Sequence, residues 1–111
     1  MTDDAGHIIH ADIREIVGVD RLLHEPSRLV ICAVLYVVKR ADFLYLQRQT
    51  GLTAGNLSAH LQKLEKNDYI KIEKTFDGKT PRTTCELVDT GRTAFDAYRE
   101  NIKRLAIQLP N

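Results

Sequence analysis

The chain has 111 residues, of which 43% are hydrophobic and 28% charged, with a formal net charge of +1. That is enough for one domain with a real core and too little for two, in an ordinary globular composition. It excludes a membrane helix, because no segment approaches the ~20 apolar residues needed to span a bilayer. It also excludes a disulfide scaffold, since two cysteines, Cys32 and Cys85, stand far apart with no second Cys or His at metal-ligand spacing.

Both cysteines are read as small core or near-core residues, the usual place for free Cys. The start, Met1-Thr2-Asp3-Asp4, lacks the basic-then-apolar order of a secretion signal, so the expected compartment is the cytoplasm. Charge is unevenly spread. Residues 1–20 carry five acids against Arg14 alone, whereas residues 40–82 carry eight bases against five acids. The positive excess therefore falls in the middle of the chain.

In chain order, Ile9, Ile13, Ile16 and, past Gly18, Leu23 recur at helical steps and predict N-terminal helices divided at Gly18. His7 and His10 nearby read as solvated rather than as ligands. Pro26 suits the first turn of the next helix, about Pro26 to Val38, which is apolar nearly all round and predicts a central core helix. Asp42 can cap a short helix, Phe43 to Gln49, with Phe43 and Leu46 inward. Thr50-Gly51 ends it, and Thr53 caps a new helix reaching about Asn67. Two short helices joined by a tight turn containing Gly make a helix-turn-helix over about residues 43–67.

After Asn67-Asp68 the period falls to two. Ile70, Ile72 and Phe76 mark one strand face, Asp77-Gly78 the turn, and Thr83, Cys85 and Leu87 the return strand. The hairpin, about residues 69–88, has a basic polar tip with Lys79, Pro81 and Arg82. Asp89 can cap a last helix over about residues 89–109. Its apolar residues Phe95, Tyr98, Ile102, Leu105 and Leu109 form a narrow seam of the coiled-coil kind. Such a seam can pair with a second copy or cover the chain's own Ile9–Ile16 helix.

The helix from Thr53 carries the most information. Leu57, Leu61 and Leu64 share one face, and Gly55, Ala59, Gln62 and Lys66 point the other way, with Asn56 and Lys63 on one shoulder and Ser58 on the other. Slim residues and hydrogen-bonding groups together suit close approach to base edges in a major groove. Catalytic patterns do not appear: there is no phosphate-cradling Gly loop, Ser/His/Asp order or His-x-x-x-His pair.

The run Thr50-Gly51-Leu52-Thr53-Ala54-Gly55-Asn56-Leu57-Ser58-Ala59-His60-Leu61-Gln62-Lys63-Leu64-Glu65 resembles the helix-turn-helix of the MarR/ArsR-like winged-helix regulators. Tyr69 to Phe76, Gly78-Lys79, Pro81 to Thr84, and Leu87 with Asp89-Thr90-Gly91-Arg92 extend the likeness. It covers about residues 20 to 100, and the chain is most similar to the compact members found in bacteria and archaea.

The resemblance implies a mainly α fold with a β-hairpin wing (α+β), a winged helix-turn-helix with N- and C-terminal dimerisation helices. It implies a homodimer on double-stranded DNA at an inverted-repeat operator, nucleoid-associated, acting as a repressor by occlusion. Carried over by position, the readers are Asn56, Ser58, Gln62 and Lys63, with Lys79 and Arg82 on the wing. His60 stands where it either touches a phosphate or packs at the core edge. Phe95, Tyr98, Ile102, Leu105 and Leu109 are the implied dimer contacts. Ala54 and Gly55 depart from the polar residues of many relatives, and the metal-sensing cysteine pairs are missing. No cofactor or metal is expected. A small-molecule effector, unidentified, has a possible pocket near His24, Cys32 and Tyr36. The competing reading is a winged helix used for protein–protein assembly without DNA.

Overall fold

The computed structural model describes residues 20–110; the expected Ile9–Ile16 helix, and with it His7 and His10, lies outside them. Glu25 caps the first described helix, α1 (Pro26–Val38), by accepting the Arg28 N–H at 2.8 Å, and Pro26 sits in the first turn. The helix stops at Lys39, whose φ of 68° is left-handed. Ile31, Cys32 and Leu35 are buried, but Val30, Val37 and Val38 are exposed. α1 is thus a core helix, as its composition predicts, but its apolar surface is wider than the core that covers it.

A short strand, β1 (Arg40–Asp42), follows, and then α2 (Phe43–Thr50). Asp42 serves both, ending the strand and capping the helix through the Tyr45 N–H at 2.8 Å. Gly51, at φ 71°, closes α2 with its N–H on the Gln47 carbonyl. A left-handed residue costs a glycine nothing there, which is why the turn can be so tight. Thr53 then caps α3 (Ala54–Lys66), accepting the Asn56 N–H at 3.2 Å.

The wing is β2 (Ile70–Asp77) and β3 (Thr80–Leu87) in antiparallel register, with Ile72 opposite Cys85 and Phe76 opposite Pro81. Gly78 has φ +66° at the first position of the two-residue turn, the pattern of a type II′ hairpin. On its other edge β3 pairs with β1, Ala41 facing Cys85, so the sheet order is β1-β3-β2. The hairpin read from sequence is therefore two strands of a three-stranded sheet.

Helix α4 (Asp89–Gln108) begins one residue after β3. Val88, not Asp89, occupies the cap position and offers no side-chain bond; Asp89 is the first helical residue, where its charge still favours the helix dipole. Gly91 is buried against Tyr69: a Cβ there would collide with the Tyr69 carbonyl oxygen, which also accepts the Val88 N–H at 3.1 Å. Further along, Phe95 lies 5.0 Å from Tyr36 of α1, ring to ring, and the Arg92 guanidinium stacks 4.5 Å above that tyrosine. The Tyr36 hydroxyl donates to Asp96 at 2.6 Å. The core gathers one face of every helix onto the sheet, with Leu23, Ile31, Leu35, Leu46, Leu57 and Leu64 closed to solvent.

Candidate nucleic-acid interface

Leu57, Leu61 and Leu64 fasten α3 to the core, and this fixes which residues it presents outward. Gly55, Asn56, Ala59, Gln62, Lys63 and Lys66 are exposed, as the helical spacing required; Ser58 is half-buried. Gln62 Nε2 and Ser58 Oγ are 3.4 Å apart, so the two form one polar edge one helical turn long. That edge borders a groove of about 630 Å³ whose other wall is the wing, through Ile72, Lys74 and Thr83, with Phe43 and Glu65 also lining it.

Beyond Glu73 the wing leaves the core. Residues 74–82 are all exposed on both strands. Lys79 occupies the turn, while Arg82 lies in the third pair from it, opposite Thr75, and is ion-paired to Asp77 at 3.2 Å. The two basic wing residues differ in this respect, a difference the sequence did not reveal: the Arg82 charge is already half-answered within the hairpin.

His60 faces inward. Its Nδ1 lies 3.2 Å from Arg28 Nη1 and 3.8 Å from Glu25, and its side chain is only 23% exposed. Arg28 itself is buried and also donates to the Leu22 carbonyl at 2.7 Å. Partial burial pushes the Glu25 carboxyl up, yet the N–H groups of Arg28 and Ser27, with the His60 imidazole and the Arg28 guanidinium nearby, outweigh it. The carboxyl is held below its ordinary range. The cluster ties the N-terminus of α1 to the middle of α3 and so sets the tilt of the exposed helix. His60 thus has the core-edge placement, as a strut. No sequence motif pointed to Glu25 or Arg28.

Of the residues expected at a dimer contact, Phe95 and Tyr98 are buried in the chain's own core, and the Tyr98 hydroxyl is 2.9 Å from His24 Nδ1. Ile102 and Leu109 are exposed and Leu105 is half-buried on the outer part of α4, beside an exposed Ile107. A groove of about 780 Å³ runs between α1 and α4, floored by Leu29, Ala33, Phe95 and Ile102 and edged by Arg99, Glu100 and Lys103. Of the residues expected near an effector pocket, Cys32 is closed in the core, Tyr36 is turned onto α4, and His24 is held by Tyr98. Burial pushes the Cys32 thiol up to about 12 and Cys85 to about 11, with Asp20 adding to the first and Glu65 to the second. Both are packing residues, as expected.

A helix-turn-helix with a three-stranded sheet, a projecting hairpin and a long final helix defines a winged-helix domain. The chain belongs to the winged helix DNA-binding domain family, whose model matches residues 27–106. It is similar to the uncharacterized protein MJ0432 of Methanocaldococcus jannaschii, 31% identical over 86 residues, covering 78% of this chain and 94% of that one. Among solved structures it is similar to a transcriptional regulator homologue from Pyrococcus horikoshii OT3. The TM-score there is 0.84 at 28% identity, covering 91% of this chain and 100% of the other. The fold, at 18% identity and a TM-score of 0.69, is also that of overoxidized AbfR bound to DNA, covering 84% of this chain and 66% of that one; AbfR is a Staphylococcus epidermidis protein. The MarR/ArsR-like resemblance is thereby established at the level of a winged-helix regulator fold.

Proposed function

We propose that the protein is a cytoplasmic, sequence-specific duplex-DNA-binding regulator that works as a homodimer and represses by occupying its operator. The observation that carries this reading is the outer face of α3. Ala54, Gly55 and Ala59 leave room for a base-pair edge, and Asn56, Gln62 and Lys63 supply groups that read one. The wing stands beside that helix, with Lys79 at its tip to meet the phosphate backbone or the minor groove. Family membership and the DNA-bound structure of a protein of the same fold support the same reading.

The molecule's elongated shape supports a second copy. A radius of gyration of 17.4 Å exceeds the ~12–13 Å of a compact domain this size. The outer part of α4 carries Ile102, Leu105 and Ile107 away from the core. A partner's α4 laid against this helix and the α1 groove covers them. Two-fold symmetry then presents two identical α3 helices, which requires an inverted repeat with half-site centres ~34–36 Å apart.

The test is selection of binding sites from random duplexes, followed by affinity measurement with five and ten base pairs inserted between the halves. The expected outcome is an inverted repeat whose binding falls with five and partly recovers with ten. Selection that enriches no sequence would overturn the reading and favour protein–protein assembly.

A further inference from the structure

The outer half of the wing holds an aromatic ring where no core reaches it. Phe76 is 73% exposed and belongs neither to the core nor to the half-buried residues packed on it. Side chains alternate along a strand, so Phe76 shares its hairpin face with Ile70, Ile72 and Lys74, and its cross-strand partner on that face is Pro81. That is the face turned toward α3, because Ile72 and Lys74 line the groove shared with Ser58 and Gln62. Asp77 and Arg82, paired with each other, lie on the opposite face. The Phe76 face is therefore apolar at its centre and cationic around it, with Lys74 below and Lys79 at the turn.

Given the duplex-binding reading, on which this inference rests, a duplex lying along α3 passes this face of the wing. Lysines meet phosphates on either side of a groove, but a phenyl ring gains nothing from a phosphate. It gains by leaving water against base and sugar. Pro81 beside it on the same face has a fixed φ and no N–H to leave unpaired, which makes a stiff support.

We propose that Phe76, supported by Pro81, is an apolar wedge that enters the minor groove beside the half-site read by α3 and partly unstacks one base step there. The protein then selects deformable sequence at a position where it makes no base hydrogen bond. Pyrimidine–purine steps such as TA unstack most cheaply, so they are favoured at that position.

The experiment uses the full chain and duplexes carrying the selected half-sites, with either TA or GC at the flanking step. A 2-aminopurine beside the step reports unstacking, and energy transfer between the duplex ends reports bending. Wild type is expected to favour the TA duplex by about tenfold, brighten the probe and bend the DNA. Phe76→Ser should bind the TA duplex about tenfold more weakly, lose the flank preference and leave the probe dark, whereas Phe76→Leu retains part of each effect. Melting temperatures of the three proteins should agree, because the ring is exposed. Equal affinity and bending for wild type and Phe76→Ser overturns the wedge, as does a loss that is the same on both flanks. A change of oligomeric state in Phe76→Ser without DNA also overturns it, by making the face a protein contact. Failure of wild type to bind any duplex is a separate result and overturns the duplex-binding reading itself.

Discussion

A methyl group added at Gly91 has nowhere to go, since the Tyr69 carbonyl carbon lies 2.8 Å and the Leu87 Cδ1 2.9 Å from where it would sit. Backbone cannot rotate away as a side chain can, so Gly91→Ala is expected to cost at least the ~1–3 kcal/mol of an overpacked core, read by urea unfolding. Gly55 is the opposite case: nothing lies within 4 Å of an added Cβ, and the residue is helical. Gly55→Ala should therefore stabilise the fold by ~0.4–1 kcal/mol while weakening DNA binding, because the methyl stands between α3 and the groove floor. Unchanged DNA affinity in this variant would show that close approach is not what Gly55 provides. The buried thiols give a pH signature. Burial pushes them up from the ordinary thiol value of 9.0, to about 12 and about 11, so unfolding releases protons at high pH. Their contribution is complete below pH 9 and is lost as the pH rises from there through 11 to 12. Stability should fall across that window, and less steeply in Cys32→Ala, once its loss of packing is allowed for at pH 7.

Within the wing, the Asp77–Arg82 pair sets how much positive charge is available to DNA. Lys79→Ala should lower the magnitude of the log–log salt slope by ~1, as one phosphate contact is lost. Asp77→Asn should strengthen binding at every sequence by freeing Arg82. If it weakens binding instead, the pair holds the wing in shape rather than restraining its charge. The elements that were legible beforehand are those fixed by local chemistry. Asp42, Gly51, Thr53 and Gly78 each act on residues two to four positions away, and a cap can be read wherever it occurs. What was not legible depends on distant partners. Arg40-Ala41-Asp42 shows no period of its own and is a strand only because β3 lies beside it. His60 was ambiguous because Glu25 and Arg28, which hold it, are more than thirty positions away in sequence. The seam of α4 shows an apolar stripe without showing what covers it, and Phe95 and Tyr98 are covered by the chain itself.

At the scale of the whole molecule, Leu105→Glu tests the proposed dimer. It puts a carboxylate where a partner helix would remove it from water, and an unpaired buried charge is expensive. The variant is expected to sediment as a monomer and to lose the preference for paired half-sites, while Lys66→Glu, on the exposed side of α3, leaves assembly intact. A wild-type monomer at tens of micromolar would remove the dimer from the mechanism. The joint at Val88 bears on how such a dimer could respond to its surroundings. A single residue separates β3 from α4, and the Tyr69 carbonyl clamps that joint from the side. In the proposed dimer, this short joint is expected to pass a tilt of the long helix on to the wing. The helix of 20 residues is ~30 Å long. In the proposed dimer, a molecule lodged in the groove between α1 and α4 is therefore expected to change the distance between the two wings without touching either.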